Sequence, residues 1–78
     1  MFPIVTSVKP EKDYFLTLEF SNGDIRKFDV KPYLDKGIFQ ELRDLTKFYS
    51  VRTDGLSIEW KNEASLCPDT LYFDSVAI

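Results

Sequence analysis

The chain contains no histidine, one cysteine and three glycines, and each shortage removes a class of chemistry. Without histidine the commonest general base and the usual zinc ligand are missing, which leaves carboxylates, lysines and tyrosines to carry any reaction. The lone thiol, Cys67, has no second cysteine for a disulfide, a redox couple or a thiolate metal cage, and no imidazole to activate it. Gly23, Gly37 and Gly55 stand singly at predicted turns, so no glycine-rich phosphate loop exists. Positive charge is not in excess either: 10 Lys and Arg face 13 Asp and Glu, a net charge of -3. Such a balance offers no general field for a phosphate backbone, and direct nucleic-acid binding is not expected. No apolar run approaches the roughly 20 residues that cross a bilayer, so no membrane association is expected. The opening "MFPIVTSV" has no basic region ahead of a long apolar stretch. No signal peptide is expected, and the expected location is the cytoplasm.

What remains is the composition of a packed globular domain, 44% hydrophobic and 29% charged. Residues 1–78 are expected to form a single α+β domain, since cores divide only at several times this length. A chain this short buries only around 60% of its unfolded surface, which makes a partner, or a homo-oligomer, an expected source of further burial.

Tyr14, Leu16, Leu18 and Phe20 alternate with Thr17 and Glu19, the period of a half-buried strand. After "SNGD", Arg26, Phe28 and Val30 alternate with Ile25, Lys27 and Asp29. The two runs read as a β-hairpin. A two-residue Asn22-Gly23 turn would set Leu18 against Lys27 and waste the core face. A three-residue Ser21-Asn22-Gly23 loop with Gly23 left-handed in a bulge instead sets Leu16 opposite Phe28 and Tyr14 opposite Val30. Ahead of the hairpin "IVTSVKP" reads as a further strand joined by the polar link "PEKD". Later, β-branched and aromatic residues flank Asp54-Gly55, predicting a second hairpin whose return strand carries Leu56, Ile58 and Trp60 on one face. "KNE" offers one more turn. The reading is mainly antiparallel hairpins, about five strands in all.

Two helices are expected. Pro32 suits a first turn that Gly37 terminates, and Ile38, Phe39, Leu42 and Leu45 recur at helical spacing to give a short central helix. "CPDTLYFDSVAI" reads as a C-terminal helix, with Pro68 at its first position and Cys67 near its N-cap. Cys67 is therefore expected to be a small buried or capping residue, although a helix N-terminus can lower a thiol pKa.

No catalytic residue, metal site or cofactor is expected. The carboxylates are dispersed, no spacing matches a calcium loop, and paired acids such as Glu59 and Glu63, which could converge in space for hydrolytic geometry, are expected to form a solvated rim instead. The aromatic content of 15% is the feature that asks a functional question, because so many rings in a small domain cannot all be fully buried. Phe15 falls on the otherwise polar side of its strand, and Phe73 falls off the Tyr72–Val76 helical stripe. Phe15, Trp60, Tyr72 and Phe73 are the expected anchors of a partner-binding patch, since large rings carry most of the energy of small interfaces.

The ordered run "V…VKP…DYFLTLEFSNGDIRKFDVKPYLDKGIFQEL", then "F…V…D…IEW" and "CPDTLY", resembles the small bacterial proteins grouped as domain-of-unknown-function family 2442. The likeness spans essentially the whole chain. It implies an α+β fold in a bacterial cytoplasmic protein, with no activity, cofactor or catalytic residue to carry over. In the family the domain stands alone or beside a helix-turn-helix, for which this chain has no room, and a toxin–antitoxin-like pairing is suspected of the lone members. The expectation is a non-enzymatic interaction or regulatory module whose partner is another small protein or a second copy of itself. The alternative is a small-ligand-binding or enzymatic domain with a pocket between helix and sheet.

Overall fold

The computed structural model describes residues 3–77. Among them seven strands form two antiparallel sheets. The first is ordered β1-β2-β3-β7, from Val5–Pro10, Phe15–Phe20, Ile25–Asp29 and Val76–Ala77. The second is β4-β5-β6, from Arg52–Thr53, Ile58–Glu59 and Ser65–Leu66. The Val5 N–H donates to the Leu56 carbonyl at 3.0 Å, so the second sheet abuts the free side of β1. Two short helices, α1 (Leu45–Phe48) and α2 (Pro68–Phe73), complete an α+β fold.

The first hairpin has the predicted register. Leu16 lies opposite Phe28, and the Val30 N–H donates to the Tyr14 carbonyl. Gly23 has φ +90° and donates to the Phe20 carbonyl, while the Phe20 N–H donates to Asp24 O. This is the bulged three-residue turn that burial of Leu16, Leu18, Phe20 and Phe28 requires. Each of those side chains contributes roughly 1.5–3 kcal/mol by leaving water. They meet Ile58 of the second sheet, Trp60 just past it, Leu71 of α2, Phe48 of α1 and Leu42 in one core.

Four local expectations are corrected. The central helix is split: a 3-10 segment runs from Gly37 to Arg43, and α1 starts afresh after Asp44. Asp44 leaves the helical region at ψ 115° and its carboxylate accepts the Thr46 N–H at 3.0 Å, so a side chain suited to capping interrupts the helical spacing. Leu56 is not on the face of Ile58 and Trp60. It is 63% exposed in the turn, because Asp54 begins a four-residue bend and accepts the N–H groups of both Leu56 and Ser57. The C-terminal helix ends at Phe73, where Ser75 is captured by Arg26 and the chain returns as β7 beside β3. The link "PEKD" is not simply polar slack. Asp13 and Tyr14 are both left-handed, at φ 60° and 63°, and are held by Lys31 Nζ donating to Asp13 O and Tyr14 Oη donating to Arg43 O.

Candidate functional site

Strand alternation that buries Leu16, Leu18 and Phe28 sends Phe15, Thr17 and Glu19 of β2 and Ile25, Lys27 and Asp29 of β3 to the opposite side. Ser7 and Lys9 of β1 and Val76 of β7 join them by register. This outer face meets solvent, with Ile25 50% and Val76 70% exposed.

Phe15 is half-buried there by its neighbours' lysines. Lys27 Nζ lies 4.4 Å and Lys31 Nζ 4.1 Å from the ring centroid, close enough for each ammonium to be attracted by the π face. Beside the ring a groove of about 410 Å³ is lined by Glu11, Lys12, Asp13, Phe15, Thr17 and Lys27. Part of its charge is internally matched. Lys9 pairs with Glu11 at 3.8 Å, Lys31 pairs with Asp29 at 3.2 Å, and Thr17 Oγ1 donates to Glu11 Oε1 at 3.5 Å. Among the described residues no ion pair involves Lys12, Lys27, Asp13 or Glu19. The face and its rim thus hold four cations and four carboxylates.

The four expected anchors do not form one patch. Phe15 stands on the outer face. Trp60 is a correction: it is 1% exposed in the core, where its indole N–H donates to the Phe48 carbonyl at 3.0 Å, and it presents no surface to a partner. The expectation erred because alternation names the face of a strand and not what covers that face, here Phe48 of α1 and Phe39 of the 3-10 segment. Tyr72 is on the core side of the first sheet, edge-on to Phe20 at 5.0 Å, with its hydroxyl donating to Asp24 Oδ2 at 2.6 Å. Phe73, on α2, is 68% exposed. Ile25 and Val76 are the apolar residues of the outer face that the sequence reading passed over. Ile25 was legible from its alternation with Lys27 and Asp29. Val76 was hidden by the helical reading of its segment.

Cys67 is the N-cap of α2, as expected, but is exposed and makes no side-chain capping bond. The acid pair weighed from sequence is not favoured, since Glu59 is taken up by Arg52 at 3.1 Å. Tyr33 has its pKa raised, first by burial and then by its hydrogen bond to Asp74 and that carboxylate's charge. Such a shift holds the phenol neutral, the reverse of what a tyrosine base needs. Among the described residues no group of three or more potential ligand side chains is placed to hold a metal ion, and no helix is long and apolar enough to cross a membrane.

What the arrangement offers chemically is an aromatic platform on an open sheet, edged by charges of both signs. No curated protein and no solved structure matches the chain. The family model for proteins of unknown function, DUF2442, matches residues 5–77, nearly the whole chain, and the chain belongs to that family.

Proposed function

We propose that the protein is a non-enzymatic interaction module of the bacterial cytoplasm, which binds another small protein or a second copy of itself through the outer face of its four-stranded sheet. Its role is to regulate that partner, in the manner of an antitoxin. The observation that carries this reading is the half-buried Phe15 ring in its groove, with Ile25 and Val76 exposed on the same face. An aromatic ring already flanked by two lysine ammonium groups loses little side-chain freedom on docking, which is the property of an interface anchor.

Affinity capture of the tagged protein from its native host tests the reading. A stoichiometric small partner, or a second copy, is expected with the wild type. Its yield should fall with Phe15→Ala while the circular dichroism spectrum stays unchanged. Equal recovery with Phe15→Ala would remove Phe15 from the interface.

A second reading rests on the groove volume, which lies within the roughly 300–1,000 Å³ typical of small-molecule sites. A ligand with a ring to stack on Phe15 and an anionic group for Lys12 or Lys27 fits it best. A thermal-shift screen of aromatic acids tests this, with Phe15→Ala abolishing any shift.

A further inference from the structure

We propose that the occupant of this face is a second copy of the chain, related by a two-fold axis, with the Phe15 ring of each copy inside the contact. The inference rests on the interaction-module reading and names its partner.

Charge is the first argument. The whole chain carries 10 cations against 13 carboxylates, and the outer face and its rim hold four of each, which leaves six against nine on the remaining surface. Two acidic copies therefore meet with least repulsion through this face. A strongly acidic partner finds no net positive field here, and a strongly basic one is drawn to the rest of the surface instead. The unmatched charges are also of both signs: Lys12 and Lys27 against Asp13 and Glu19. In an isologous contact each copy supplies both halves of every pair, so a surface with unmatched cations and anions is its own complement.

Area and rigidity agree. Four strands about 4.8 Å apart and up to six residues long make a footprint of roughly 20 by 20 Å, about 400 Å² per copy and about 800 Å² in all, the size of a weak, transient contact. The dimer is accordingly weak, with a dissociation constant of the order of micromolar. The rim is set before docking. Asp13 and Tyr14 are pinned in the left-handed region by Lys31 and by the Arg43 and Val30 backbone, so little ordering cost falls on association.

The test is sedimentation velocity of the full chain from about 1 µM to about 1 mM, the span that brackets such a constant. The wild type should rise with concentration from 9.1 kDa towards twice that mass. Phe15→Ala and Lys27→Glu should each move the midpoint to at least about tenfold higher concentration, with unchanged circular dichroism. Lys61→Glu makes the same charge change away from the face and should stay within about twofold. A wild type that remains monomeric throughout overturns the proposal, as does a dimer whose midpoint responds equally to Lys27→Glu and Lys61→Glu. The module reading fails separately. A monomer that still captures a different protein in a Phe15-dependent way sinks the second copy and keeps the module.

Discussion

Glu63 occupies, in the bend between β5 and β6, the backbone position that Gly23 occupies between β2 and β3. In the first bend Gly23 N donates to Phe20 O, Phe20 N to Asp24 O, and Asp24 N to Asn22 Oδ1. In the second, Glu63 N donates to Trp60 O, Trp60 N to Ala64 O, and Ala64 N to Asn62 Oδ1. Glu63 is left-handed at φ 73°, where a side chain costs about 1–2 kcal/mol that glycine avoids. Glycine returns part of that gain through its freer unfolded chain. Glu63→Gly should therefore stabilise the protein by about 0.5–1 kcal/mol and raise Tm by about 3–6 °C in a thermal melt. A lowered Tm would show that the Glu63 side chain is worth more than its backbone strain.

Arg26 fastens the end of α2 and β7 to the hairpin. Its Nε donates to Ser75 Oγ at 2.7 Å, its Nη2 donates to Ser75 O at 2.9 Å, and its guanidinium lies 4.5 Å from the Tyr72 ring centroid. A lysine keeps the charge and loses the fork. Arg26→Lys should cost about 1–2 kcal/mol in urea denaturation and speed hydrogen exchange at the amides of β7 more than at those of β2. Unchanged protection in β7 would mean that its ladder with Lys27 and Arg26 suffices.

The first hairpin was legible because one physical requirement, a single buried face, selects both its register and its turn. Leu16 opposite Phe28 follows once Leu18 may not face Lys27. The start of α2 was legible from Cys67-Pro68, since proline at the first helical position has no N–H to orphan. Phe15 was legible as the ring out of phase with its strand. Lys27 over it follows from the same register, lying two pairs along from the Phe15–Asp29 pair and so on the same face. Leu56 and Val76 were not legible, because each is decided by a competing local bond: Asp54 accepting two amides in one case, Arg26 gripping Ser75 in the other. The burial of Trp60 depends on α1 folding back over its strand, and no local pattern announces that contact.

Cys67 stands where a hydroxyl side chain is preferred. It is an N-cap in extended conformation, exposed, with no bond from its sulfur to the helix amides. Cys67→Ser should gain about 0.5–1 kcal/mol by capping and should leave self-association unchanged. The wild-type thiol should react stoichiometrically with a thiol reagent in the folded state. If Cys67→Ser lowers Tm, the sulfur makes an apolar contact worth more than the cap.

Asp54 gives stability a pH dependence whose sign follows from its partners. Its carboxylate accepts from the Ser57 N–H at 2.7 Å and the Leu56 N–H at 3.0 Å, and these bonds, Ser57's first, hold its pKa below the ordinary carboxylate value. Folding therefore favours the ionised form. The contribution is complete above the unfolded pKa of about 3.9 and is lost as pH falls through the lower folded value. Asp54→Ala should lower Tm at neutral pH, and the gap to wild type should narrow only below about pH 4. A gap that persists undiminished at about pH 2 would mean that a neutral carboxyl accepts the two amides equally well, so that the turn is held by geometry and not by the charge.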